Sequence, residues 1–122
     1  MAEAVCMIIR KAPYGKIHAT EAVRHINGAL ASGLETVVIL MGDGVYLAKG
    51  RQETAKAGWT SLSGTLSQGP MAKGGERARF YVHQGSLADR MLDPHEIMEA
   101  FMVIPDQKMA ELVAGCRKVL LF

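Results

Sequence analysis

Cysteine is scarce in this chain of 122 residues, and the 2 present, Cys6 and Cys116, stand near opposite ends. That excludes a disulfide framework and any C-x-x-C redox or metal motif. Aromatic residues make up only 6%, so the core is expected to be aliphatic. Charge of one sign is never concentrated: the net charge is +2, and Lys and Arg are scattered from Arg10 to Lys118, so no nucleic acid is expected as a partner. Long hydrophobic runs are missing too. The apolar stretch Ala4 to Ile9 is far below the roughly 18 residues of a membrane span, and it lacks the basic start of a signal peptide. No membrane partner is expected, and cytoplasm is the expected compartment.

What is present is 49% hydrophobic residues, mostly aliphatic, with 13 Gly and 8 Met. This length and composition predict one compact domain over residues 1–122 with a core that needs no staple. "VCMII" (Val5 to Ile9) and "TVVILM" (Thr36 to Met41) are continuous apolar runs of strand length, as in parallel strands covered on both faces. Between them Ile17, Ala22, Val23, Ile26, Ala29 and Leu30 fall near helical spacing, with Gly33 as the stop. A strand, helix, strand unit of this kind implies a right-handed parallel crossover.

A helix broken near Gly50 is expected around Val45 to Lys49, then a short helix at Leu62 to Leu66 within a glycine-rich loop. "RARFYVH" (Arg77 to His83) predicts a third strand, with Ala78, Phe80 and Val82 on one face. A helix is expected to start at Gly85 or Ser86, and another at Asp93-Pro94. "FMVI" (Phe101 to Ile104), a helix bounded by Pro105 and Gly115, and "KVLLF" complete the pattern. The expected fold is α/β, with about five mainly parallel strands between helices.

Ligands of such folds bind beyond the carboxyl ends of strands, which singles out three loops. "RKAPYGK" places Lys11, Tyr14 and Gly15 before a helix whose free N–H groups favour anions, although one glycine is no phosphate cradle. "GDGVY" contributes Asp43 and Tyr46; Asp43 would suit a metal or hydroxyl contact, but one carboxylate is weak evidence for a cation and turn chemistry explains it more cheaply. The third loop opens on His83. His18 and His25, about 10 Å apart on a helix, are too distant to share one ion, so no metal and no cofactor are expected. Cys6, within an apolar strand, reads as core, whereas Cys116 at a helix end is the more plausible reactive thiol.

"KAPYG", "ATEAVRHINGAL", "GDGVYLAKGRQ", "SLADRML" and the closing "KVLLF" together resemble the DsrE/DsrF-like family, which includes the TusB, TusC and TusD subunits of a bacterial sulfur relay and the DsrE, DsrF and DsrH proteins. The resemblance spans nearly the whole chain. It implies a single-domain, flavodoxin-like three-layer sandwich. It also implies assembly into trimers or hexamers, of one chain or with related DsrE/DsrH-like subunits.

In the DsrE- and TusD-like members the resemblance places a persulfide-carrying cysteine at the end of the third strand. Alignment on Arg90 puts His83 there. An imidazole exchanges protons near neutral pH but holds no sulfane sulfur, so the chain resembles the non-carrier DsrF/TusC-like members. Two other readings stand beside this one: an active sulfurtransferase using Cys116 or Cys6, and a small-ligand or anion-binding module built on Lys11, Tyr14, Gly15, Asp43, Tyr46 and His83.

Overall fold

The computed structural model describes residues 4–12, 18–49 and 77–122, with the side chains of His18 and Ala19 excepted. Five strands form one sheet: β1 (Val5–Ile9), β2 (Thr36–Leu40), β3 (Ala78–His83), β4 (Phe101–Ile104) and β5 (Lys118–Leu121). Their spatial order is β4-β3-β2-β1-β5, and all four pairings are parallel. The helices are α1 (His18–Ala31), α2 (Gln84–Asp89) and α3 (Asp106–Gly115).

The continuous apolar runs occupy the inner strands because both of their faces are covered. All five residues of β2 are buried. On one face Met7, Ile9, Val38, Leu40, Phe80 and Val82 pack against Val23 and Ile26 of α1 and Leu87 of α2. On the other, Cys6, Ile8, Val37, Ile39, Tyr81 and Ile104 meet Met109, Leu112 and Val113 of α3. The expected flavodoxin-like three-layer arrangement is therefore observed. It departs from the flavodoxin strand order 2-1-3-4-5 in placing β2 between β1 and β3 and β5 beyond β1.

Local signals act largely as the chain chemistry predicts. Gly33 takes φ +82°, and its N–H donates to Leu30 O while that of Leu34 donates to Ala29 O, both at 3.0 Å, which closes α1 in the manner of a glycine-capped end. Three expectations need correction. The segment after β2 is a 3-10 helix, Gly42–Ala48, and it brings Gly44 against the end of β1, where only glycine fits. A Cβ on Gly44 would lie 2.0 Å from Ile9 O. The helix expected at Asp93-Pro94 is one 3-10 turn, Pro94–Glu96, closed by a reciprocal cap between Asp93 and Glu96. The helix after β3 starts earlier than Gly85 or Ser86, with His83 itself as its N-cap. The helix expected at Leu62 to Leu66 lies outside the described residues.

The crossovers explain where a site can form. From β3 the chain turns to α2 on one face, whereas from β4 it turns to α3 on the other and returns across the sheet to β5. Right-handed crossovers require this change of face when the direction of travel reverses. Neighbouring strands whose outgoing loops diverge leave a crevice at their carboxyl ends. Here those strands are β3 and β4, where His83 pairs in register with Ile104.

Candidate functional site

His83 ends β3 at that divergence, and its imidazole joins the two diverging helices. On one side Nδ1 lies 2.7 Å from Ser86 Oγ and 3.2 Å from Ser86 N. On the other, Nε2 contacts Asp106 Oδ1, at the first residue of α3. The backbone N–H of Ser86 can only donate, so Nδ1 is the acceptor and the neutral ring carries its proton on Nε2. That N–H then donates to the Asp106 carboxylate.

Ser86 completes the chain of bonds. Its hydroxyl donates to Nδ1 and accepts the Gly42 N–H at 2.9 Å, so the loop after β2 is tied to the end of β3. Gly42 adopts φ +55°, a left-handed conformation that glycine takes without a Cβ penalty. Arg90, at the end of α2, braces the same corner: its Nε and a terminal nitrogen lie 3.0 and 2.9 Å from Asp43 Oδ1, and another terminal nitrogen donates to Ser86 O at 3.2 Å.

Serine, histidine and aspartate in one hydrogen-bonded row invite comparison with a nucleophilic triad. The geometry argues against it. Ser86 is buried, its oxygen is already committed as donor and acceptor, and it sits where the helix cap requires it rather than facing a substrate. What the row can do is hold an imidazole in one tautomer with its exchangeable proton directed at the exposed Asp106.

The expected site residues divide clearly. Asp43 and His83 come together around Ser86 and Arg90, with Asp43 engaged by the guanidinium rather than open to a cation. Lys11 and Tyr46 are half-buried in the loops after β1 and β2, whereas Tyr14 and Gly15 lie outside the described residues. No three His, Cys, Asp or Glu side chains converge into a possible metal site among the described residues. Sequence reasoning missed Ser86 and Asp106 as site residues. Ser86 had a signal, since an N-cap acceptor is satisfied three residues on. Asp106, 23 positions from His83, had none.

The cysteines are elsewhere. Cys6 is buried in β1 and Cys116 half-buried after α3. Burial first, and then the neighbouring Cys116 thiol, push the Cys6 pKa up to about 12. Burial also raises Cys116, opposed by a hydrogen bond from Cys6. A thiol activated by nearby cations would move the other way.

Similarity to known proteins agrees with this architecture. The solved structure of the YchN protein from E. coli matches all of both chains with a TM-score of 0.82 at 18% identity. The structure of MTH1491 from Methanobacterium thermoautotrophicum, described as a protein of unknown function, matches 98% of this chain and 99% of that one with a TM-score of 0.74 at 14% identity. These likenesses establish a shared fold. In sequence, the uncharacterized protein MJ0989 of Methanocaldococcus jannaschii is 42% identical over 50 residues, 41% of this chain and 44% of that protein, so the match covers less than half of that relative. The model of the DsrE/DsrF-like family matches residues 3–122, and the chain belongs to the DsrE/DsrF-like family.

Proposed function

We propose that this protein is a non-carrier, DsrF/TusC-like component of intracellular sulfur transfer that works as an oligomer, with itself or with related chains. The observation that carries the reading is the identity and setting of His83. It is the last residue of β3, where the resemblance places a persulfide cysteine, and its ring is held between Ser86 and Asp106. Neither cysteine substitutes for the missing sulfur at that crevice, since Cys6 lies in β1 and Cys116 follows α3. Both thiols have raised pKa values, which depletes the nucleophilic thiolate near neutral pH.

Assembly is supported by the sheet edges. Val119, Leu120 and Leu121 on the edge strand β5, and Met102 on the opposite edge strand β4, are apolar and exposed, and exposed apolar edges favour a protein partner. Among the described residues no helix is long and apolar enough to cross a membrane.

The test is incubation with inorganic polysulfide followed by intact-mass measurement. A non-carrier gains no stable adduct of about 32 Da, and light scattering after gel filtration reports a trimer or hexamer, alone or on mixing with a cysteine-bearing family member. A persulfide on Cys116 or Cys6 that passes to an acceptor thiol would replace this reading with that of an active sulfurtransferase. A monomer under both mixing conditions would remove the oligomeric part.

A further inference from the structure

Cys6 and Cys116 are remote in sequence but adjacent in the fold. Strands β1 and β5 run side by side, with Cys6 paired to Val119, and the Arg117 N–H donates to Ala4 O at 2.9 Å. That bond seats the end of α3 beside β1. The Cys6 side chain projects to the face that α3 covers, and Cys116 packs against the cluster that contains it. Both side chains thus belong to one packed cluster on the face of the sheet that α3 covers.

We propose that Cys6 and Cys116 form a dithiol site that closes into an intramolecular disulfide by exchange with a low-molecular-weight disulfide. Cys116 is the entry point because it is half-buried, whereas Cys6 is sealed in the core. The Cys116 thiolate attacks one sulfur of the small disulfide, breaking its S–S bond and expelling one thiolate. Cys6 then gives up its proton, its thiolate attacks the Cys116 sulfur, the protein disulfide forms, and the expelled second thiolate takes up a proton. Two protein thiols are oxidised and one small disulfide is reduced to two thiols.

The chemistry of the pair sets its tempo. Burial of both thiols lowers their thiolate fractions and slows closure. Once closed, thiols of high pKa are poor leaving groups, so the bond resists reduction by small thiols. In a reducing compartment such a pair stands open and responds to sustained oxidative load. Closure joins β1 to the segment entering β5 and encloses a loop of roughly 110 residues, a length at which a cross-link strongly restricts the unfolded chain. This inference stands apart from the sulfur-transfer reading, because a chain that takes up no persulfide can still form the disulfide.

The full chain is incubated with oxidised glutathione, quenched with acid, and examined by intact mass and non-reducing peptide mapping. The expected product is about 2 Da lighter than the reduced chain and contains a Cys6–Cys116 cross-linked peptide. Its Tm is higher on the order of 10 °C, and a strong dithiol reverses the change. Cys116→Ser is expected to abolish the reaction, and Cys6→Ser to stop at a glutathione adduct on Cys116. The wild-type peptide map decides the matter if Cys6→Ser fails to fold. A wild-type chain that stops at the Cys116 adduct, links to a second chain through Cys116, or stays reduced while the urea-unfolded chain reacts overturns the proposal.

Discussion

Replacing His83 by alanine and by asparagine separates the roles that the ring combines. Alanine removes the acceptor that caps α2, a loss of about 1 kcal/mol. It also leaves the buried Ser86 hydroxyl without the Nδ1 acceptor, which costs about 1–2 kcal/mol. The bond to Asp106 contributes little, about 0–0.5 kcal/mol, because that carboxylate is 91% exposed and well hydrated. His83→Ala is therefore expected to destabilise by about 2–3 kcal/mol. Asparagine is among the best N-cap residues, so His83→Asn is expected to lose only about 1 kcal/mol. Urea unfolding followed by circular dichroism reads the difference: the alanine variant should shift its midpoint down by about 1 M or more at unchanged slope, with asparagine between it and the parent. Equal shifts for the two variants would refute the cap assignment, and no shift for alanine would refute the whole hydrogen-bonded row.

The remaining predictions concern the loop after β2 and the buried thiol. Gly44→Ala would place a Cβ 2.0 Å from the Ile9 carbonyl oxygen, a clash with backbone that no rotamer relieves, so a loss of about 3 kcal/mol or more is expected; an unchanged Tm would show that the loop can move away from β1. Because the Cys6 pKa is raised from 9.0 to about 12 on folding, its contribution is fully present below pH 9 and is lost as pH rises towards 12. Stability should thus fall across that window by up to about 1.4 kcal/mol per pH unit from this group, and Cys6→Ala should flatten the fall. An identical alkaline profile for the variant would show that Cys6 ionises in the folded state as readily as in the unfolded one. For the same reason iodoacetamide should label native Cys6 about a thousandfold more slowly than the unfolded chain at pH 8, and comparable rates would contradict its burial.

Elements whose cause is local were legible in the sequence. The runs at Val5 to Ile9 and Thr36 to Leu40 are strands because nearly every residue is apolar and both faces are covered. Helix α1 ends at Gly33 because that position needs a positive φ, and α3 keeps the bounds suggested by Pro105 and Gly115. The 3-10 helix at Gly42–Ala48 was not legible, since it packs Gly44 against the end of β1 at Ile9, a long-range contact that periodicity does not record.

The same distinction accounts for the site. His83 was recognisable as a strand end, but its meaning depends on Asp106, and these two meet only because β4 lies beside β3 and sends its helix to the opposite face. Cys6 and Cys116 likewise read as one core residue and one helix-end residue until β5 returns to β1 and brings the thiols together. Both pairings are products of the single reversal in crossover direction between β4 and β5, since a chain that continued past β4 without reversing would separate Cys116 from β1. The β3–β4 crevice and the thiol pair are thus two consequences of one topological step: α3 begins at the His83 contact and ends beside the cluster that holds Cys6. An alteration that shifted α3 along its own face of the sheet would have to disturb both.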